Sequence, residues 1–346
     1  MKRITPFLAV AAAVALLAAG CSAPPPIPTP SPTASATAAP ETEPVIAPLT
    51  GLEVVDDLPP HPVFMAKIDN HPDARPQYGL NQTDIVFEQL VEGGMTRYVA
   101  IWHSTMPEQI GPVRSIRPMD PDIASPFKGI IAYSGGQTPF VNMMRSTQVV
   151  NFIHGINEGD AYMSRTKEKA GPHDVVVRAR QAVIDRSDLE APGVAFLYAA
   201  PGAMPTAVQF GQSVSTITLQ FSKDSIPSWE WDAESGLYKR KQDNGEWDVD
   251  EAGNVLTAVN IIVQITPETT LFGNVKFVPK AETVGTGVGY VSTGGKTFPM
   301  VWSKTDRNAF TTYSFQDENP IRLAPGNTWI ELVPTKGKFS TEPALQ

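Results

Sequence analysis

Between Thr83 and Gly136 the chain sets the acids Asp84, Glu88 and Glu92 and the arginines Arg97, Arg114 and Arg117 among apolar runs, punctuated by Gly93-Gly94 and Gly135-Gly136. Ile85–Val91 and Met95–His103 are rich in β-branched and aromatic residues, which favour pleated backbone, and the glycine pair between them permits reversal. A helix would stack Asp84, Glu88 and Glu92 at i, i+4 and i+8, where like charges repel. The stretch therefore reads as a β-hairpin, with the three acids on one face and turned toward Arg97. So apolar a hairpin belongs in a core, and its charges constrain everything that packs around it.

Neighbouring segments supply a sheet and helices. Val63–Asp69 reads as a short buried strand and Asn70-His71-Pro72 as a turn. Ile130–Tyr133 is another short strand, Thr138–Thr147 has helical spacing with Phe140, Met143 and Met144 on one face, and Arg178–Asp185 also reads as helix. Alternation of this kind predicts a mixed α/β domain over 49–204. After Pro201–Pro205 short alternating runs take over: 216–221, 229–231, 238–241, 255–266, 276–278, 297–302 and 329–333. They predict a mainly β domain over 205–346, so the fold class is α+β. Gly285, Gly287 and Gly289 lie among β signals with no helix after them, which favours a hairpin over a nucleotide loop.

The N-terminus carries an address. Lys2 and Arg3 precede an apolar stretch, Pro6–Ala19, that is shorter than the ~20 residues needed to cross a bilayer. Small residues then lead to Cys21, the one cysteine of the sequence, which can form no internal disulfide. Residues 1–20 read as a lipoprotein signal peptide and Cys21 as the lipidated residue. Ser22–Pro48 is Pro, Ser, Thr and Ala with little to bury, so 21–48 is expected to be a disordered tether. In polyproline form it would reach roughly 80 Å. The expected location is extracytoplasmic, with the membrane as partner through lipid. A net charge of -9 argues against nucleic acid, whose phosphates are bound by surplus Lys and Arg.

Against that acidic background, residues 93–180 hold ten Lys plus Arg and seven Asp plus Glu, a local excess of positive charge. Seven of the ten are arginines, whose planar fork suits phosphate, pyrophosphate and carboxylate. The candidate ligand-binding set is Asp84, Glu88, Arg97, Arg114, Arg117, Arg165, His173 and Arg180. Asp84 is also a candidate oxygen ligand for a divalent cation. His173 stands out among the five histidines because Pro172 fixes its turn and Asp174 follows it. The histidines lack zinc-ligand spacing.

Several segments together resemble the YerB-type lipoproteins: PLTGL at 48–52, TDIVFEQLVEGGMTR at 83–97, IGPVRSIRP at 110–118, YSGG at 133–136, GPHD at 171–174 and PGNTWIELVP at 325–334. That resemblance implies a two-domain envelope lipoprotein and supplies no catalytic residues. In motif order the chain is also similar to the LytR-CpsA-Psr phosphotransferases, at Asp84, Ser115-Ile116-Arg117-Pro118, Ala132–Gly136, Arg165 and Arg180-Gln181. This second resemblance implies Asp84 near Mg²⁺ and Arg117, Arg165 and Arg180 on a pyrophosphate. In this chain Arg117 and Pro118 stand in exchanged order and the Arg-x-Arg pair is incomplete. Two functions are expected in consequence. One is non-catalytic binding of an anionic or glycan ligand, a cell-wall polymer or an envelope protein. The other is Mg²⁺-dependent transfer or hydrolysis on a lipid-linked wall precursor.

Overall fold

A computed structural model describes residues 45–54, 60–315, 318–343 and 345–346; the leader, Cys21 and most of the tether lie outside this set. The hairpin forms as its residues dictate: β1 (Phe64–Asp69) precedes β2 (Ile85–Leu90) and β3 (Thr96–Trp102), which pair antiparallel across the glycine turn. β3 also pairs antiparallel with β1, and β4 (Ile130–Tyr133) and β5 (Val150–Ile153) extend the sheet in parallel beyond β1. A small hairpin, β6 (Met163–Arg165) and β7 (Val175–Val177), follows.

The mainly β second half is as expected, and its principal strands complete the sheet of the first. Strand Thr328–Pro334 lies parallel to β2, with Glu331 opposite Glu88, and its other edge takes Asn260–Thr266. Gly285–Thr293 and Lys296–Lys304 form the hairpin the glycines suggested. A Cβ on Gly289 would stand 2.2 Å from the carbonyl oxygen of Val263, so that strand pairs closely only without one. The result is one eleven-stranded sheet drawn from both halves, beside a five-stranded sheet of second-half strands.

Side chains alternate across a strand, so the large sheet has two buried faces. On one, Met65, Phe87, Val99 and Ile101 meet Ile123 and Ala124 of α1 (Asp120–Ala124) and Phe140, Val141 and Met144 of α2 (Thr138–Arg145). On the other, Ala66, Val86, Tyr98 and Trp329 meet α3 (Ala179–Asp185) and the five-stranded sheet through Ile217, Leu219, Trp229 and Tyr238.

This second face has a charged centre. Arg240 is fully buried and pairs with Glu88 at 2.6 Å, Asp248 at 3.1 Å and Glu331 at 3.5 Å. Its guanidinium lies 5.1 Å from the ring centre of Trp329, 5.3 Å from that of Trp229 and 5.8 Å from that of Tyr98, within cation–π range. Trp229 Nε1 donates to Glu331 Oε1 at 2.8 Å. Burial and the neighbouring Glu88 push the Glu331 carboxyl well above the usual range.

The hairpin's acids depart from expectation here. Arg97 is in register with Gln89 on one side and Asp69 on the other, and Glu88 faces the opposite way. A one-residue offset on a strand reverses the face. Asp84, at the start of β2, accepts from the backbone N–H and the hydroxyl of Ser104 instead.

Two measurements check these assignments. Arg240→Ala leaves Glu88 and Asp248 as uncompensated buried charges, and chemical denaturation should show a loss of about 3–5 kcal/mol. Burial pushes the Asp84 carboxyl up to about 6 against the opposing Ser104 bonds. The folded protein therefore binds the extra proton more tightly than the unfolded chain. The corresponding stability is complete below the unfolded carboxylate range and is lost as pH rises through about 6. Asp84→Asn should remove a pH-dependent component of about 3 kcal/mol from a stability curve measured between pH 3.5 and 7.

Candidate functional site

β1 is apolar until its end, where Lys67 and Asp69 share a face with Met65. Two charges spaced by two residues in such a strand mark one rim of the sheet. Arg97, at the start of the antiparallel β3, arrives at the same rim because it pairs with Asp69. The segment after β3 crosses this end: Asp69 N–H donates to Pro112 O, Arg114 N–H to Lys67 O and Ile116 N–H to Gly135 O. It delivers Arg114 and Arg117 beside Arg97. Gly136 has φ of +155°, and a Cβ there would meet the Ile116 side chain at 2.8 Å, so the glycine allows the close approach.

The guanidinium groups converge. Nη1 of Arg97 and Nη1 of Arg117 donate to the same carbonyl, Ser115 O, at 3.1 and 3.0 Å. Asp69 lies between Arg97 Nε at 3.8 Å and Arg114 Nε at 3.3 Å. Glu92 takes Arg117 Nε at 2.5 Å and Lys276 Nζ at 3.3 Å. Lys276 comes from a second-half hairpin, Glu268–Phe272 with Phe277–Ala281, whose turn is held over α2 by Gln137 Oε1 accepting from the N–H groups of Val275 and Lys276. Beneath these groups Lys67 bonds Asp120 Oδ1 at 2.8 Å, Gln89 Nε2 bonds the same oxygen, and Arg117 N–H bonds Asp120 Oδ2 at 2.6 Å.

The charges do not cancel. Lys67, Arg97, Arg114, Arg117 and Lys276 face Asp69, Glu92 and Asp120, an excess of two positive charges in a mostly buried cluster. Burial, followed by the neighbouring Arg117, lowers the Arg97 guanidinium to about 10. Burial likewise lowers the Lys67 ammonium to about 8, with Asp120 opposing. Loss of water around both cations is the main cause, and an entering anion would favour their charged forms.

His173 joins the cluster from the loop between β6 and β7. Its Nδ1 lies 2.7 Å from Asp69 Oδ2, and its ring stacks on His71 at 4.5 Å. Arg165 approaches the same loop, pairing with Asp174 at 2.6 Å, and is half exposed. Of the residues anticipated from sequence, then, Arg97, Arg114, Arg117 and His173 come together, and Arg165 stands beside them. Arg180, in α3, pairs with Glu108 at 3.6 Å. Glu88 belongs to the Arg240 centre on the reverse face, and Asp84 lies at the far end of β2 from Gln89. The sequence reading passed over Lys67, Asp69 and Asp120.

His71, Asp73 and His173 are the metal-capable trio found among the described residues, and Asp84 is not part of it. The stacked rings do not direct their in-plane lone pairs to one point, and His71 Nδ1 already accepts from Asp73 N–H at 3.2 Å. As arranged, the trio does not fit a metal centre.

Comparison with known proteins agrees with this architecture. Residues 49–189 match the family described as "Protein of unknown function (DUF3048) N-terminal domain", and residues 217–330 match its C-terminal domain. "Putative lipoprotein YerB" of Bacillus subtilis (strain 168) is 25% identical over 294 residues, covering 83% of this chain and 86% of that protein. The crystal structure of YerB protein from Bacillus subtilis superposes with a TM-score of 0.72 at 23% identity, covering 86% of this chain and 99% of the other, and so shares its fold. With both halves matched in order, the chain belongs to the two-domain DUF3048 family of YerB-like proteins.

Proposed function

We propose that this protein is a lipid-anchored envelope protein, facing outward from the cell membrane, that binds an anionic group of phosphate, pyrophosphate or carboxylate type through Arg97, Arg114 and Arg117. The observation that carries the binding reading is the meeting of three guanidinium groups at one carbonyl and one carboxylate, with positive charge in excess. The natural ligand on this reading is a cell-wall polymer, a lipid-linked precursor or an acidic segment of an envelope protein. Metal-assisted transfer has less support, because it needs Asp84 beside the arginines, and Asp84 stands at the opposite end of β2 with its carboxylate on Ser104. The anchor rests on the lipobox-like sequence before Cys21 and on likeness to a relative named as a lipoprotein.

Two experiments test the two halves of this reading. Isothermal titration with inorganic pyrophosphate, phosphate and citrate should show saturable binding that weakens about tenfold to a hundredfold in Arg114→Ala, the loss of one charge-assisted bond. Arg114 is partly exposed, so the variant keeps the fold. Absence of saturable binding to all three anions removes the proposal. Mass spectrometry of the protein from membranes should place the mature N-terminus at Cys21 carrying two or three acyl chains. An unmodified start further along the chain rules out the anchor.

A further inference from the structure

We propose that His173, oriented by Asp69, is the general acid of this site, and that the group it serves is a phosphoester or phosphoanhydride held by the three arginines. The inference rests on the anion-binding reading above and extends it to chemistry.

Asp69 is buried; its Oδ2 lies 2.7 Å from His173 Nδ1 and at ion-pair distance, 3.3 Å, from Arg114 Nε, so the imidazole and that guanidinium lie within about 6 Å of each other. A carboxylate accepting from Nδ1–H fixes the ring and leaves Nε2 as the nitrogen that exchanges protons, the arrangement by which a third group orients an acid or base. His173 is largely but not wholly enclosed, with 12% of its side chain exposed. The groups at the ring are Asp69 on β1, itself paired with Arg97 on β3 and Arg114 on the crossing segment, and His71 stacked upon it with Asp73 beyond. On its own loop, Asp174 is occupied by Arg165.

The ligand class follows from the donor set. One guanidinium fork satisfies a carboxylate, whereas three converging forks suit a tetrahedral group with three free oxygens. Charge on those oxygens during transfer is what fixed guanidinium groups stabilise. In the step, a water oxygen bonds to phosphorus as the bond from phosphorus to the leaving oxygen breaks. The proton on His173 Nε2 passes to that leaving oxygen. Of the two water protons, one stays on the released phosphate and the other restores the imidazolium.

Inorganic pyrophosphate serves as probe and as minimal substrate for the intact chain. Calorimetric titration at neutral pH, in two buffers of different ionisation enthalpy, reads both affinity and proton uptake. On the acid reading, anion binding by the wild-type protein should be accompanied by proton uptake, since a bound dianion favours the charged form of an adjacent imidazole. His173→Gln should bind within about tenfold of wild type, as it keeps all three arginines, and take up none. Phosphate release should fall by about 10²–10⁴ in His173→Gln. Asp69→Asn, which leaves the imidazole in place, should shift the pH profile of that release. Binding with neither proton uptake nor phosphate release overturns the acid role and leaves the anion site standing. Proton uptake unchanged in His173→Gln assigns the proton elsewhere and also overturns it. Failure to bind any anion defeats the underlying reading, a result distinguishable from both.

Discussion

The two halves of this protein meet around a single buried guanidinium. Arg240 comes from the five-stranded sheet, Glu88 from β2 and Glu331 from the strand beside it, and all three are fully buried. Removing a charged group from water costs several kcal/mol, and the cost of burying Arg240 and Glu88 is offset only because they meet each other, with the faces of Trp229, Trp329 and Tyr98 around the guanidinium. The arrangement exists only when both domains are docked in this register. A displaced register would leave a bare charge in an apolar layer, which is a strong argument for one mode of docking over others.

That constraint propagates to the site through β2 itself. Glu88 points down to Arg240, and the next residue, Gln89, points up to Asp120, which in turn holds Lys67 and the backbone of Arg117. A second link runs around the rim: Thr96 donates to Glu88, Asn70 donates to Thr96, and Asn70 follows Asp69 in the chain. The seam between domains and the arginine cluster are thus opposite faces of the same strand ends. The second half contributes directly as well, since Lys276 reaches across to Glu92 beside Arg117.

Most secondary structure was legible in the sequence because it follows from local pattern. The hairpin about Gly93-Gly94, the strand Ile130–Tyr133 and α2 with Phe140 and Met144 inward all formed where alternation or helical spacing placed them. The arginines were legible too, as a local excess of forked cations. Their partners were not. Asp69 and Lys67 look like ordinary strand-end charges until β3 and the segment at 110–116 arrive from other parts of the chain. Glu88 was assigned to Arg97 because both lie in one hairpin, whereas alternation sends it to a residue 152 positions away.

The sequence by itself determined the α+β class, the order of a mixed half before a mainly β half, and the local supply of arginine side chains. Each of these is a matter of composition or short-range periodicity. Tertiary structure alone decided that the halves share one sheet, which face each charge occupies, and that Arg97, Arg114, Arg117, Asp69 and His173 form one cluster while Asp84 and Arg180 stand apart. Those outcomes depend on strand register between segments distant in sequence, where a shift of one residue turns a side chain to the other face. No local pattern encodes that register; the burial of paired charges enforces it.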